Sequence, residues 1–589
     1  MKTPTLTPPS PKSSASKTTL WEAVGSRLPW LVIAFAFGWS LFKVSVTQHK
    51  DAPAPGEKVI RLGHYQLEPT AKVAFEEIAK DFEKIHPGVK IVQEIIPSAA
   101  YGQWLSTQLI SGKPMDILQA GGGLPPAVQL AYAARYYAPL TKYVRAPNPY
   151  NKGTELENVP WVDTYWDAMR WSFSPELQEF TSIPLSQLGQ RIAVNLDLLK
   201  KLTGLDQPPT DYRKFLEVCE KIRAQKDADG RSYIAIANSR YHSGAWEGNM
   251  ANYLTWPLIM ISDINRNGFV DTNELYLGYK AGMFSMLDPS IATRFQVNRE
   301  IAAQSQTGFT GLDRPEAVFT FIQQRSVFMA CGSYEAAGLF DQSKGLFRMQ
   351  IVDFPRIARN DPVYGRYTWG NPIEISGSLF QFSVVRNSPH ADLAIDFLRY
   401  LGSKKTNEKF NKIIGWLPAI DGAEVLEMLK PFKPHVEGMY GASDLFLGGE
   451  TTVRWNQLQA LYQIGQISYE EMMKQYGEFY RGEPGLRDFE EQHRNWRRAL
   501  PTKERGLIGL ASFALRAEPE KQPYLFAKYA VERSSTIREE IDRSMQLNLL
   551  DHPEKYRGEF SGAYSPEALE AVRQRREAKA VSPTSTLTP

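Results

Sequence analysis

Apolar and polar positions alternate along Val59-Ile-Arg-Leu-Gly-His64, the pattern of a half-buried strand, and then the period changes. Phe75, Ile78, Ala79 and Phe82 recur at i, i+3, i+4 and i+7, one face of a 3.6-residue helix. His86-Pro87-Gly88 closes that helix, since proline cannot continue it and glycine takes the turn. Val89–Ile96 predicts a second strand and Tyr101–Ile110 a second helix, ended by Gly112-Lys-Pro114. Met115–Ala120 predicts a third strand running into Gly121-Gly-Gly123. Such a β-α-β-α-β order requires crossovers, hence a parallel sheet with helices on both faces. Ligands of such sheets sit beyond the carboxyl ends of the strands. The loops His64-Tyr65-Gln66 and Gly121–Gly123 are therefore the first candidate binding surface.

A different pattern precedes this block. Residues 1–27 are rich in Ser, Thr and Pro, carry Lys2, Lys12, Lys17 and Arg27, and predict a disordered cytoplasmic N-terminus. From Leu28 to Phe42 the chain is uncharged and bulky, with Trp30 and Trp39 near its ends. A cleaved signal peptide would need a small-residue cleavage site. None is convincing here, and with Lys43 snorkelling the span reaches Val46, near the roughly 20 residues that cross a bilayer. The expectation is an uncleaved single-pass anchor over 28–46 in the inner or plasma membrane. Positive charge before it places the rest outside, beyond a stiff linker at 47–58 that includes Asp51-Ala-Pro-Ala-Pro-Gly56.

Composition narrows the class. A chain of 589 residues with 43% hydrophobic and 23% charged residues can bury a sizeable core. The formal charge of +3 comes from dispersed basic residues, which gives no nucleic-acid signal. Aromatics reach 12%, enough to fill a core and leave rings for a stacking surface. The two cysteines, Cys219 and Cys331, lie in a helical pattern and an apolar run, so both are expected as buried free thiols.

The opening block, with "HPGVKI" and "SGKPMDIL", resembles the start of the family 1 extracellular solute-binding proteins of ABC sugar importers, of which maltose-binding protein is a type. Further stretches resemble that family in its own order. Gln190-Arg-Ile-Ala-Val-Asn195 leads to Gly204-Leu-Asp-Gln-Pro-Pro-Thr210, where Thr210 is expected to cap the following helix. Ala317–Cys331 leads to Gly332-Ser333-Tyr334, where the family places a ring on the sugar. Met349–Pro355, Gly377–Ser388, Ala391–Leu401, Trp416-Leu-Pro418 and Trp455–Tyr476 follow, the last with a capping box at Ser468–Glu471. The resemblance implies an α/β fold of two lobes, each a sheet flanked by helices, over residues 59–480, with ligand in the cleft between them. It also implies ABC permease subunits as partners and no catalytic residues. Sugars need aromatic platforms and polar groups, so His64, Tyr65, Trp104, Trp246, Tyr334 and Trp369 are the lining candidates. The aromatic run Trp161–Trp171 reads as a buried helix face.

One loop has a metal pattern of its own. Asp263, Asn265, Asn267, Asp271 and Glu274 stand at positions 1, 3, 5, 9 and 12 of an EF-hand loop, with Gly268 at 6 and the Phe269 carbonyl at 7. Alternate oxygens can wrap one cation there, and only glycine makes the bend. With few charges, the expectation is a weak structural Ca²⁺ site. Residues 481–589 read as a helical extension, at Phe489–Ala499 and Tyr524–Leu550, with a disordered end. It either braces the body or binds a partner.

These observations predict a membrane-anchored receptor that captures a carbohydrate and delivers it to an ABC permease. A glycoside hydrolase would need two placed carboxylates. A sensor or scaffold that kept the cleft is the other alternative.

Overall fold

The computed structural model describes residues 38–39, 56–66, 69–111, 115–121, 124, 126–174, 177, 179–255, 261–265, 270–368, 370–374, 378–435, 445–555 and 574. The expected anchor at 28–46 lies outside these residues except for Gly38 and Trp39, as do the expected disordered segments at 1–27 and 582–589. Among the described residues no helix is long and apolar enough to cross a membrane.

The opening block forms as its periodicity dictates. Strand β1 (Lys58–His64) pairs in parallel with β2 (Val89–Ile95) on one side and β3 (Ile117–Gln119) on the other. Helices α1 (Pro69–Ile85) and α2 (Ser98–Ile110) make the crossovers. Gly88, at φ +82°, makes the turn after Pro87. Helices α3 (Pro126–Tyr136) and α4 (Thr141–Val144) follow, then the short pair β4 (Phe173–Ser174) and β5 (Glu179–Phe180). Trp161–Trp171 is not one helix face. It forms two single 3₁₀ turns, with Trp161 buried and Trp171 half exposed. Trp161 donates its indole N–H to the Gly402 carbonyl at 2.9 Å, which anchors one ring and leaves the other outside.

The first sheet is completed by chain that returns later. Its order is β12-β6-β11-β3-β1-β2, with β6 (Ile183–Gln187), β11 (Ser378–Val384) and β12 (Leu417–Pro418). Its core holds Ile60, Phe75, Phe82, Phe382, Phe410 and Trp416. Phe75 meets Phe380, Phe382 and Phe410 at ring separations of 5.0 to 5.5 Å. This is lobe 1.

Lobe 2 is built on the sheet β10-β7-β9-β8, from β7 (Gln190–Asn195), β8 (Ile234–Ala237), β9 (Ser326–Gly332) and β10 (Met349–Val352). Helices α5 (Leu196–Thr203), α6 (Tyr212–Arg223) and α7 (Arg240–Met250) belong to it. The cap of α6 is Asp211, one residue beyond the expected Thr210. Asp211 has the extended backbone a cap needs, and its carboxylate accepts the Lys214 N–H at 3.1 Å. Cys219 and Cys331 are both buried free thiols, with pKa values pushed up by burial.

A helical annex covers one side of lobe 2. It contains α8 (Thr272–Lys280) and α9 (Pro289–Ala302); α9 also sends Val297 and Ile301 into the lobe 2 core. Helices α10 (Arg314–Ile322) and α11 (Ser333–Ser343) bracket β9, while α12 (Ala391–Leu401) and α13 (Lys404–Ile414) return to lobe 1. The annex is completed by α14 (Gly449–Gln463), α15 (Tyr469–Arg481), α16 (Glu483–Arg516) and α17 (Gln522–Asp551). Ser468 caps α15, accepting the Glu471 N–H at 3.1 Å, which is one half of the expected capping box. Phe295, Trp455, Tyr476, Tyr480, Phe489 and Leu549 form the annex core.

Among the described residues the chain crosses between the lobes three times. Leu188-Gly189 joins β6 to β7, residues 353–377 join β10 to β11, and residues 419–426 join β12 to a turn at Glu427–Phe432. That turn packs Leu429 and Phe432 into the lobe 2 cluster around Met329.

Candidate functional site

The crossovers converge on Arg191, the second residue of β7. Its side chain is 1% exposed. Nη1 donates to Glu374 Oε1 at 2.7 Å and Nε lies 2.8 Å from Asp353 Oδ1, both on the second crossover. Nη2 donates to the Lys433 carbonyl at 2.6 Å and Nε also to that of Pro431, both beyond the third. One planar guanidinium thus holds all three crossings, a task its fork of donors suits and an ammonium does not. His435 Nε2 stands 3.2 Å from both Asp353 oxygens and 3.7 Å from Glu374 Oε1. Asp353, Glu374 and His435 thus have the donor types of a metal site. Arg191 already supplies the positive charge those carboxylates need, so the cluster is complete as an ionic clasp.

A second set of contacts holds the first crossing. Ser333 N–H donates to the Gly189 carbonyl at 2.9 Å, and the Gly189 N–H reaches Ser333 Oγ at 3.3 Å. A side chain at Gly189 would collide with the Phe432 backbone. Ser333 also begins α11, so the run Gly332-Ser333-Tyr334 has one job per residue. Gly332 leaves room for the Tyr334 ring to fold back over it. Ser333 fixes the hinge, and Tyr334 projects between the lobes.

Tyr334 meets lobe 1, packing against the core that contains Trp416. Around it lies a cavity of about 780 Å³ with walls from both lobes: Thr70, Ile414 and Trp416 from lobe 1, Arg314, Tyr334 and Glu335 from lobe 2. The Tyr334 hydroxyl shares a hydrogen bond with that of Tyr241, a residue 51% exposed. The Arg314 guanidinium sits 5.2 Å from the Tyr334 ring centre and 5.9 Å from that of Tyr241. Arg314 Nε lies 2.6 Å from Glu335 Oε1. Burial pushes the Glu335 carboxyl up, but hydrogen bonding from His242, the Arg314 charge and the Gly332 N–H outweigh it and hold the group below the usual range. A fixed carboxylate, a guanidinium and the Tyr334 ring thus face one cavity, with Tyr241 held beside them through its hydroxyl.

Behind Glu335, His242 Nε2 is 3.6 Å from Oε1 and His242 Nδ1 is 2.9 Å from Ser239 Oγ. This Ser-His-Glu row is not a nucleophile. Ser239 is fully buried and its hydroxyl caps α7 by accepting the His242 N–H at 3.2 Å.

Of the six lining candidates, Tyr334 is at this cavity. His64 is fully buried, 5.1 Å from the Phe75 ring and edge-on to Phe380. Its Nδ1 accepts the Gln66 N–H at 3.2 Å, leaving Nε2 to donate to Gln93 at 3.1 Å, and burial lowers its pKa. It therefore shapes the loop after β1. Trp246 is 3% exposed and packs on Phe215 and Phe354 inside lobe 2. Tyr65 and Trp104 are half-buried around Tyr101, at the carboxyl end of β1 and β3. Trp369 lies outside the described residues. Tyr241, Arg314 and Glu335 have no motif to mark them, because they converge from three separated helices. Trp416 stands in the run Trp416-Leu-Pro418.

In the calcium-type loop, residues 266–269, with Asn267 and Phe269, lie outside the described residues. Asp271 and Glu274 form a capping box on α8: Asp271 Oδ1 accepts the Glu274 N–H at 2.8 Å and Glu274 Oε2 the Asp271 N–H at 2.9 Å. Glu274 Oε1 accepts the N–H groups of Ile264 and Asn265 at 3.2 and 3.4 Å, drawing the two ends of the loop together. Burial first, then the Asp271 and Asp263 charges, push the Glu274 carboxyl up to about 8.

Comparison with known proteins agrees with the family named from the sequence. No curated protein matches the chain. Similar solved structures include one from work on xylan utilisation by Caldanaerobius polysaccharolyticus, at 20% identity and TM-score 0.48, covering 71% of this chain and 99% of that one. RafE of Streptococcus pneumoniae is 15% identical over 73% and 99% of the two chains, with TM-score 0.49. The sugar-binding protein MalE of Xanthomonas citri is 14% identical over 75% and 99%, with TM-score 0.48. Residues 68–274, from just before α1 through the first crossing to Glu274, match the model of the bacterial extracellular solute-binding protein family, the family that the sequence resembles.

Proposed function

We propose that the protein captures a carbohydrate between its lobes, outside the cytoplasm, and delivers it to the permease of an ABC transporter. The observation that supports this is the cavity at Tyr334, which joins ring faces from Tyr334 and Trp416 to the Arg314–Glu335 pair. Sugar rings offer apolar C–H faces for the former and hydroxyls for the latter. A volume of about 780 Å³ suits an oligosaccharide better than a single hexose. Membrane attachment through residues 28–46 belongs to the same reading. The test is a thermal-shift panel of oligosaccharides on residues 51–589, with product analysis of each mixture. A saccharide that raises the melting temperature and is recovered intact supports capture, because binding to the folded state alone stabilises by mass action. Failure of every saccharide, or its hydrolysis, overturns it.

Calcium belongs to the same proposal. Asp263, Asn265, Asp271 and Glu274 would hold the ion, which would neutralise buried carboxylates and stiffen the loop. Two of these, Asp263 and Glu274, are 3% and 2% exposed. An unchanged melting temperature on chelation and on millimolar calcium would remove the ion from the account.

A further inference from the structure

Helices α16 and α17 pack on each other as a hairpin, and α17 reaches lobe 1 at one end and the annex beside lobe 2 at the other. At one end Phe489 and Leu549 are buried in the annex core, which is continuous with lobe 2 through α9. There Gln546 donates to Asp271 Oδ2 at 3.3 Å, and Arg543 Nη1 lies 3.6 Å from the same oxygen. At the other end α17 reaches lobe 1. Tyr524 donates to Glu179 Oε1 at 2.9 Å and Lys528 binds the same oxygen, while Thr141 donates to Oε2. Glu179 is 4% exposed, on β5, beside the lobe 1 core residue Phe180. From Tyr524 to Leu549 the helix runs about 37 Å at 1.5 Å per residue. Between its two attachments the hairpin stands off the body over a cavity of about 570 Å³, walled by Ala134 and Leu177 of lobe 1, Asn265 of the loop, and Lys503 and Thr536 of the hairpin.

We propose that this hairpin is a strap between the lobes, with Glu179 as its catch on lobe 1 and the annex as its anchor on lobe 2. Two lobes joined by three crossovers can open and close about them. A helix fastened to both fixes their separation until one fastening yields. The Glu179 fastening is strong, since a buried carboxylate that loses charged and hydroxyl donors is left uncompensated. Release at Glu179 would let the cleft widen and admit solute, so the strap sets how readily the site loads. Its effect on loading rests on the solute-capture reading; its effect on lobe separation does not.

The test measures lobe separation without any solute. Spin labels at Lys80→Cys on α1 and Lys214→Cys on α6, both exposed, report the distance between lobes in the full chain by dipolar spectroscopy, and the buried Cys219 and Cys331 stay unlabelled. Tyr524→Phe with Lys528→Met releases the catch while keeping side-chain bulk. The expected result is a distance distribution shifted outward and broadened relative to the parent. Arg543→Met with Gln546→Leu loosens the other end and should shift it in the same sense. If the first pair does not fold, the second decides alone. Distributions that match the parent in every variant that folds overturn the strap, whatever the saccharide panel shows.

Discussion

Arg191 Nη1 and Glu374 Oε1 lie 2.7 Å apart, and that contact fastens the first crossing between the lobes to the second. Both side chains are buried, at 1% and 7% exposure. Replacing Arg191 with Met keeps the stem and removes five donors, leaving the buried Glu374 without its guanidinium partner. We expect a loss of about 3–5 kcal/mol in urea unfolding. Asp353→Asn, at the half-exposed edge of the same cluster, should cost under about 1 kcal/mol. Equal losses from the two would show that the cluster is not organised around the buried pair.

Tyr334 and Trp246 separate lining from core. Tyr334→Ala removes a ring that faces the cavity, and should weaken a bound saccharide by about tenfold, near 1.4 kcal/mol, with a small change in stability. Trp246→Ala empties the centre of lobe 2 and should cost about 3–5 kcal/mol of stability. Calorimetric titration with whichever saccharide shifts the melting point, beside chemical unfolding, reads both. The assignment fails if Trp246 proves the binding residue and Tyr334 the stabilising one.

Where the chain announces itself and where it stays silent has a physical cause. The block from β1 to β3 is legible because each element satisfies a local rule: alternation, a 3.6 period, a Pro-Gly stop. The ends of the extension helices were harder to see, since α16 runs from Glu483 to Arg516 through Pro501 and carries no strong stop before Ala517. Tyr334 is legible because it follows directly on Gly332 and Ser333 in one short run. Arg314, Tyr241 and Glu335 are not, because what unites them is the packing of α7, α10 and α11. His64 shows the converse: a polar residue at a strand end reads as a ligand, yet Gln93 and Gln66 satisfy both its nitrogens inside the lobe. The pair Asp271–Glu274 fits a metal loop and a capping box equally well by spacing, and the structure uses it at least as the latter.

Gly189 is a second point at which the hinge can be probed. A methyl there would strike the Phe432 carbonyl, a backbone atom that cannot step aside without moving the third crossing. Gly189→Ala should cost about 1–3 kcal/mol as an overpacked contact. The same change at Gly244, where nothing lies within 4 Å of the added carbon, should be neutral or stabilising, as glycine in a helix costs about 0.5–1 kcal/mol relative to alanine. Thermal melts of the two variants give the comparison, and a Gly189→Ala protein as stable as its parent would mean the crossings yield easily.

His493 should make the C-terminal hairpin sensitive to acid. It lies on α16, 3% exposed, its ring 4.5 Å from Phe489 in the annex core. Burial, then the charges of Arg543 and Arg497, lower its pKa to about 4 from an ordinary 6.5. A histidine whose folded pKa is depressed binds its proton better when unfolded. Its contribution to stability is therefore complete above pH 6.5 and is lost as the pH falls toward 4, at up to about 1.4 kcal/mol per pH unit. Melting of the full chain should move down between pH 7 and pH 5, and His493→Phe, which keeps the ring and removes the proton site, should flatten that dependence. If both proteins lose the same stability over that range, His493 is not its source, and the acid response must come from carboxylates elsewhere.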